Sequence, residues 1–490
     1  MGCCHSPSQE TPSTPASALP AKPGLRHWAA IAALVIVGVS AAVIILTEDS
    51  QAWLPGSAAL LGFIALEWRR LVGSARLMVS VVLVLAIALP ALGLITMADL
   101  HSALDRGLYL GFFVLSLGLL QDVAGSSPFI LRCSAMLLNQ PPGRRYSVLT
   151  GGGALLGVLL SLGAVGLLGS LIARGVENAR AVSGDKVAMI RMERMTLASL
   201  RGVVSVPLWS PTSIAMPLVM AGLPTLTWLG ILPFGAVLAA CLLLLGWSVD
   251  RLSFPRPARP ASVKKTRDPG VLLKLVGLVA MLPILGGLLG TWLEISMISA
   301  ILLLAPALAI LWHGLQQRSE RRDWLLPAGA RQFTRTSLPR LSDMRSEITI
   351  FAASGALGMM LVPLIDGESL GAAIESLGFG SGWLLFFGYL FIVLTSILGL
   401  NPIVSVTLFV GTAAQLPGHG LQTLDIALTA LYSWSIAAGI SPLSASVRLA
   451  ARPIGQPPTV VGFRWNGRYT IAATVLAWLL AMALSALRYA

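Results

Sequence analysis

Charged side chains are scarce in this sequence: they make up 11% of its 490 residues, against 56% hydrophobic residues. Ordinary globular domains carry about 25% charged residues, so this scarcity excludes an ordinary soluble protein. No polar stretch is long enough to form a separate soluble domain of typical size. Instead, runs of about 20 apolar residues recur along the chain, as a polytopic membrane protein requires.

Cysteine and histidine are also rare, and their positions exclude two kinds of chemistry. The four cysteines, Cys3, Cys4, Cys133 and Cys241, have neither metal-ligand spacing nor the pattern of a disulfide framework. The five histidines are scattered, and no loop groups two carboxylates beside an apolar run. The sequence therefore predicts no catalytic residue, no bound metal and no cofactor. A membrane-embedded transferase is only a remote alternative.

The positive net charge is concentrated in a few loops. The formal net charge is +13, and most of the 34 Lys and Arg residues lie in four segments between apolar runs: 174–201, 251–267, 318–345 and 448–468. By the positive-inside rule these segments are cytoplasmic, which argues against nucleic-acid binding. We expect a multi-pass protein of the bacterial inner membrane, surrounded by membrane lipid, with its N-terminus in the cytoplasm.

The apolar runs divide the chain into two halves. We predict an all-α polytopic membrane protein with about 11 to 13 transmembrane helices in two inverted repeats that contain re-entrant or broken helices. The predicted organisation is a disordered cytosolic tail (1–27), a first transmembrane helix (28–51), a first repeat (52–246), a cytoplasmic linker (247–269) and a second repeat (270–488).

The two repeats are recognised by a Ser/Pro cluster that interrupts an apolar run at the same place in each. The first cluster is Trp209-Ser210-Pro211, followed by Thr212 and Ser213. The second is Ile440-Ser441-Pro442, followed by Ser444 and Ser446. Proline removes a backbone donor and frees a carbonyl, so such a cluster builds a polar cavity at membrane depth. Two clusters in register favour a solute-binding site over a simple kink.

Each Ser/Pro cluster follows a second polar break. The first of these breaks is Gly125-Ser126-Ser127-Pro128, and the second is Gly399-Leu400-Asn401-Pro402. The short apolar pieces after them, 128–138 and 402–416, are predicted to be half-helices or arms of re-entrant hairpins. Counting membrane passes makes the two Ser/Pro helices antiparallel. This pattern is typical of a secondary transporter that works by alternating access.

Two halves with these breaks resemble the ion transporter superfamily, which includes divalent-anion/sodium symporters and citrate and arsenite permeases. The resemblance implies transport of a small anion, a carboxylate or an oxyanion, driven by a proton or sodium gradient, and it is compatible with a homodimer. Where the symporters have a Ser-Asn-Thr tip in both halves, this sequence has Ser-Ser-Pro and Asn-Pro. Carried over by motif, the substrate- and ion-binding residues are Ser126, Ser127, Ser210, Thr212, Ser213, Asn401, Ser441, Ser444 and Ser446.

Three charged residues near the breaks are further candidates. Asp122 lies one helical turn before Ser126 and is either a proton site or a span-end residue in water. Arg132 and Arg448 could pair with an anionic substrate, or anchor their helices at the interface. A cation/proton antiporter of the same superfamily is the alternative function, and it would require Asp122.

Overall fold

The computed structural model of the chain describes residues 24–47, 50–254, 269–318, 325–366, 380–416 and 420–489, with single residues between 367 and 379. The protein is 87% helical, and no strand occurs in these residues. Nine helices of the described chain are long and apolar enough to cross a membrane. The prediction of an all-α polytopic membrane protein is therefore confirmed. Most of the predicted N-terminal tail lies outside the described residues.

Ten helices make up the first half of the chain. They are α1 (Leu25–Thr47), α2 (Trp53–Glu67), α3 (Gly73–Ala91), α4 (Met97–Gly125), α5 (Pro128–Leu138), α6 (Pro142–Leu160), α7 (Leu162–Ser183), α8 (Asp185–Val204), α9 (Ala215–Gly222) and α10 (Trp228–Ser253). Helix α4 begins at a capping box, in which the Thr96 hydroxyl accepts from the Asp99 N–H and the Asp99 carboxylate accepts from the Thr96 N–H.

Nine helices lie within the described residues of the second half. They are α11 (Pro269–Leu293), α12 (Met297–Arg318), α13 (Leu325–Arg340), α14 (Arg345–Leu361), α15 (Ser381–Ile397), α16 (Pro402–Ala413), α17 (Thr423–Ile440), α18 (Ala445–Ala451) and α19 (Gly467–Tyr489). A π-helical turn, Val460–Trp465, precedes α19. Helices α5, α15 and α16 are apolar but short, so fewer helices qualify as full spans than the sequence predicts.

Both predicted Ser/Pro breaks interrupt a helix. Residues 205–214 separate α8 from α9, and residues 441–444 separate α17 from α18. Pro211 and Pro442 lie in these gaps. Because proline has no N–H, inside a continuous helix each would leave one backbone carbonyl without its hydrogen-bond donor. The two halves therefore share the order long helix, break, short helix and closing span.

The first half contains a helical hairpin that the sequence does not predict. The apolar run 146–173 is long enough to be a single span, but it divides into α6 and α7 at Ser161, which has a φ of 49°. Gly153 lies against Ser199 and Gly157 against Val203, so α6 runs parallel to α8 while α7 returns antiparallel to it. Helices α6 and α7 thus form the hairpin, and α5 is a single short helix beside them.

The two broken helices pack against each other in opposite directions. The long helix α8 contacts the short helix α18, and the long helix α17 contacts the short helix α9. Close to the crossing, a Cβ on Gly439 would touch Val204, and both residues lie just before their breaks. An inverted repeat would produce such a reciprocal contact.

Two groups of helices enclose the space around the first break. One hydrophobic cluster, which we call the scaffold, is built mainly from α1–α4, α13 and α14. A larger cluster, the repeat core, includes both broken helices, their hairpins and their closing helices. Helix α4 contributes side chains to both clusters, and its C-terminal end faces the first hairpin.

Candidate functional site

Each Ser/Pro break is hydrogen-bonded to the tip of its own hairpin. In the first half, Thr212 Oγ1 donates to the carbonyl of Val158 over 3.0 Å. In the second half, α15 and α16 form the corresponding hairpin, and Ser441 Oγ donates to the carbonyl of Ser396 in α15 over 2.7 Å. Both acceptors lie in the last turn of a hairpin helix, where carbonyls have no partner within the helix. In both halves, therefore, a hydroxyl of the Ser/Pro break is bonded to a carbonyl at the hairpin tip.

The other groups of the first break are arranged around Thr212. Ser210 is fully buried, and its Oγ lies 2.9 Å from Thr212 Oγ1. Ser213 Oγ accepts from the N–H of Ala215 over 3.3 Å. Trp228 Nε1 donates to the carbonyl of Trp209 over 3.0 Å, which satisfies a carbonyl exposed by the break. The hydrogen bond with Ser210 thus orients the side chain of Thr212.

The second break uses its hydroxyls to satisfy backbone groups. The carbonyl of Ala438 loses its usual helical donor because Pro442 has no N–H, and it accepts from the hydroxyls of Ser444 and Ser446 instead. Ser444 also caps α18 by accepting from the N–H of Val447 over 3.2 Å. Asn401 caps α16 in the same manner. These residues hold the backbone together.

A cavity of about 450 Å³ lies where the first hairpin tip and the first break face the scaffold. Three carboxylates line it, and we call it the acidic cavity. No Lys or Arg is among its lining residues. Its polar and backbone lining comes from Gln121, Asp122, Ser161, Gly163, Thr212, Asp343 and Glu347. Ser161 holds a positive φ here, a strained conformation that favours a functional role for the hairpin tip.

A second cavity, of about 710 Å³, lies between the end of α4 and helices α5, α11, α12 and α13. We call it the basic cavity because three cationic side chains line it, with one carboxylate. The three cations are Arg132, Lys274 and Arg340, and the carboxylate belongs to Asp122. Ser126 and Ser127 lie in the same wall. Asp122 lines both cavities, so it stands between an acidic and a basic compartment.

Asp122 is held by side chains of two other helices. Ser337 Oγ donates to Asp122 Oδ2 over 2.8 Å, and Arg340 Nη1 lies 3.4 Å from Asp122 Oδ1. His313 Nε2 lies 2.9 Å from Ser337 Oγ. A hydroxyl can accept one hydrogen bond and donate another, so Ser337 connects the imidazole to the carboxylate. His313, Ser337 and Arg340 were not identified from the sequence, since they are distant from Asp122 along the chain.

A buried arginine, also missed from the sequence, connects the two halves. Arg201 is 2% exposed and donates from Nε to Asn466 Oδ1 and from Nη1 to Tyr146 OH, each over 2.9 Å. Its guanidinium lies 4.5 Å from the ring centroid of Tyr469. Asn466 Nδ2 in turn donates to the carbonyl of Gly439, just before the second break. This chain of bonds links α8 to α17.

The predicted site residues fall into separate groups. Asp122, Ser126, Ser127 and Arg132 meet around the basic cavity, while Thr212 reaches the acidic cavity. Arg448 is exposed on α18 and lines neither cavity. Four of the others are bonded within their own breaks: Ser210, Ser213, Ser444 and Ser446. Asn401 caps α16, and Ser441 is bonded to the carbonyl of Ser396 at the hairpin tip.

Comparison with known proteins assigns the chain to no family. No protein-family model matches the chain, and no curated protein sequence matches it. The function therefore has to be inferred from the geometry of the two breaks and the two cavities.

Proposed function

We propose that the protein is a secondary active transporter that moves a small anionic solute across the membrane, coupled to a proton or sodium gradient. The observation that carries this proposal is the antiparallel pair of broken helices, each tied at its break to a hairpin tip. Broken helices and hairpins at membrane depth present free backbone groups to a solute, and inverted repeats provide alternating access.

The two cavities suggest how an anion and a cation are coupled. The basic cavity offers cationic side chains to an anion, and the carboxylates of the acidic cavity offer oxygen ligands or proton acceptors to a cation. When Asp122 is ionised it pairs with Arg340. When a proton or a sodium ion neutralises Asp122, Arg340 becomes free to bind the anion. Cation binding would then favour anion binding, which is the requirement for symport.

A cation/proton antiporter is a second candidate, and one observation favours it. Asp122, Asp343 and Glu347 all line the acidic cavity, and the arginines that pair with the two aspartates, Arg340 and Arg345, lie outside its lining. Such a site alone could exchange a proton for a metal cation without any anion. In that case the basic cavity would take no part in transport.

The test is uptake by the purified protein in liposomes that contain a pH-sensitive dye. Carboxylates and inorganic oxyanions are added one at a time, with an imposed proton or sodium gradient. We expect one class of anion to enter only when the gradient is present. Asp122→Asn should abolish the coupling to the gradient, since a neutral amide can neither hold a proton nor pair with Arg340 by charge.

The matched control is Asp185→Asn, which removes an exposed carboxylate that pairs with Arg180 away from both cavities. Full gradient-coupled uptake by Asp122→Asn would contradict the proposal. Proton movement driven by sodium or potassium alone, with no effect of any anion, would establish the antiporter instead.

A further inference from the structure

The basic cavity has a polar end and an apolar end. Lys274 lies near the start of α11, and Gln316 and Gln317 lie near the end of α12. Helices α11 and α12 are consecutive and packed together, so these polar residues share one end of the cavity. The lining residues further along the same helix faces are apolar. They are Leu278, Met281, Leu282, Leu308, Leu311 and Trp312.

The polar end carries more positive than negative charge. Asp122 pairs with Arg340, but no ion pair involves Arg132 or Lys274 among the described residues. Gln316 adds a buried Nε2 that has no hydrogen-bond partner within the described chain. The side chains of Arg132 and Lys274 are exposed, so only the Gln316 Nε2 lacks both water and a partner. An excess of positive charge beside an unsatisfied buried donor suits this end to an anionic group.

The apolar end is suited to the apolar part of a ligand whose anionic group occupies the polar end. An inorganic oxyanion or a small polycarboxylate would contact only the polar end, whereas a ligand with an apolar body would also contact the leucine and tryptophan side chains of the wall. The volume of about 710 Å³ lies within the range of about 300–1,000 Å³ typical of sites for drug-sized ligands. This size favours a compact molecule over a two-chain phospholipid.

We infer that the basic cavity binds a compact amphiphilic anion, with one carboxylate or phosphate head and an apolar body. The head lies between Arg132 and Lys274, and the apolar body packs on the faces of α11 and α12. This inference rests on the proposed function, because it names the chemical class of the transported anion.

The test is equilibrium binding to the full-length protein in phosphatidylcholine nanodiscs, with empty nanodiscs as the reference for membrane partitioning. The probes are butanoate, hexanoate, octanoate and the uncharged 1-octanol. Each buried methylene is worth about 0.8 kcal/mol, or about fourfold in affinity. We expect octanoate to bind on the order of a hundredfold more tightly than butanoate, and 1-octanol to show no specific binding.

Two variants separate the head site from the apolar wall. Lys274→Gln should weaken octanoate binding about tenfold, the effect of losing a charge-assisted hydrogen bond, and leave the dependence on chain length unchanged. Leu311→Gln should reduce that dependence, because Leu311 is part of the apolar wall. Arg69→Gln, which removes an exposed cation outside this cavity, should change neither property.

Three results would overturn the inference. They are equal affinity for butanoate and octanoate, equal binding of 1-octanol, or a tightly retained phosphatidylglycerol that octanoate cannot displace. Because the assay measures binding, its outcome is distinct from that of the uptake test. Octanoate binding without gradient-coupled uptake would contradict the transporter proposal alone, while coupled uptake of a small anion without dependence on chain length would contradict the amphiphile alone.

Discussion

The first and second Ser/Pro breaks share one hydrogen bond and differ in their surroundings. In both, a hydroxyl donates to a carbonyl at a hairpin tip. The first break faces the acidic cavity through Thr212, whereas Ser441, Ser444 and Ser446 of the second are all bonded to backbone carbonyls. The same local sequence can therefore border a cavity in one half and satisfy backbone groups in the other.

Substitutions of Arg201 and Tyr432 should give the largest difference in the free energy of unfolding between the two halves. These two residues occupy corresponding positions before the two breaks, and each donates to a carbonyl of its closing helix, at Gly246 and Ala473 respectively. Arg201→Met also removes the bonds to Asn466 and Tyr146, so we expect the free energy of unfolding to fall by about 3 kcal/mol. Tyr432→Phe should cost about 1 kcal/mol. Denaturant unfolding in micelles measures both, and equal losses would contradict a special role for Arg201.

The double variant Ser444→Ala/Ser446→Ala tests the fastening role of the second break. It leaves the half-buried carbonyl of Ala438 without its hydroxyl donors and the N–H of Val447 without its cap. We therefore expect a loss of about 2 kcal/mol in the free energy of unfolding. Anion binding by the folded protein should remain unchanged. A large loss of binding with normal stability would show that the second break is itself a ligand site.

Thr212 and Ser441 make the same kind of bond, so substituting each one compares the two breaks directly. Thr212→Val keeps the side-chain volume but removes the hydroxyl that faces the acidic cavity. We expect uptake to fall about tenfold, equivalent to one lost hydrogen bond of about 1.4 kcal/mol. Ser441→Ala should lower thermal stability but leave uptake within about twofold of wild type. Equal loss of uptake in the two variants would place both breaks at the transport site.

Arg448→Gln should have the smallest effect. Its exposed side chain lines neither cavity, and surface substitutions of this kind change stability by about 0.5 kcal/mol or less. We expect no change in anion affinity, measured with the same probes as for Lys274→Gln. A clear loss of affinity would restore the predicted pairing of Arg448 with the substrate.

The sequence predicts the breaks well because proline acts locally. Proline alone is not a sufficient signal, because α3, α10, α11 and α12 each contain one. The Ser-Pro pairs at Pro211 and Pro442 recur in register, and that repetition makes both interruptions visible without any tertiary information. The hairpin tip at Ser161 has no such signal. Its positive φ occurs at a residue other than glycine, and the turn depends on the close packing of Gly153 and Gly157 against α8.

The polar connections were harder to predict because each joins distant helices. Asp122 is notable in the sequence as an acid in an apolar run, but Ser337 and His313 come from α13 and α12. Arg201 belongs to a predicted cytoplasmic basic segment, and only the packing of α6, α8, α10 and α19 shows that it is buried. Local sequence carries no record of such contacts.

The most direct test of the transport proposal is the accessibility of the first hairpin tip from the two sides of the membrane. Gly163 lines the acidic cavity, and a Cβ there would meet its nearest neighbour, Leu160, at 3.8 Å, so Gly163→Cys fits the structure. The variant is made in a chain without its native cysteines. It is treated with a membrane-impermeant maleimide in right-side-out and in inside-out vesicles, and Ser441→Cys, at a fully buried position, serves as the control.

Alternating access predicts that Gly163→Cys reacts from both sides, and that Ser441→Cys reacts from neither. Labelling of Gly163→Cys from one side only, under every imposed gradient, would contradict a transporter whose first break is the moving site.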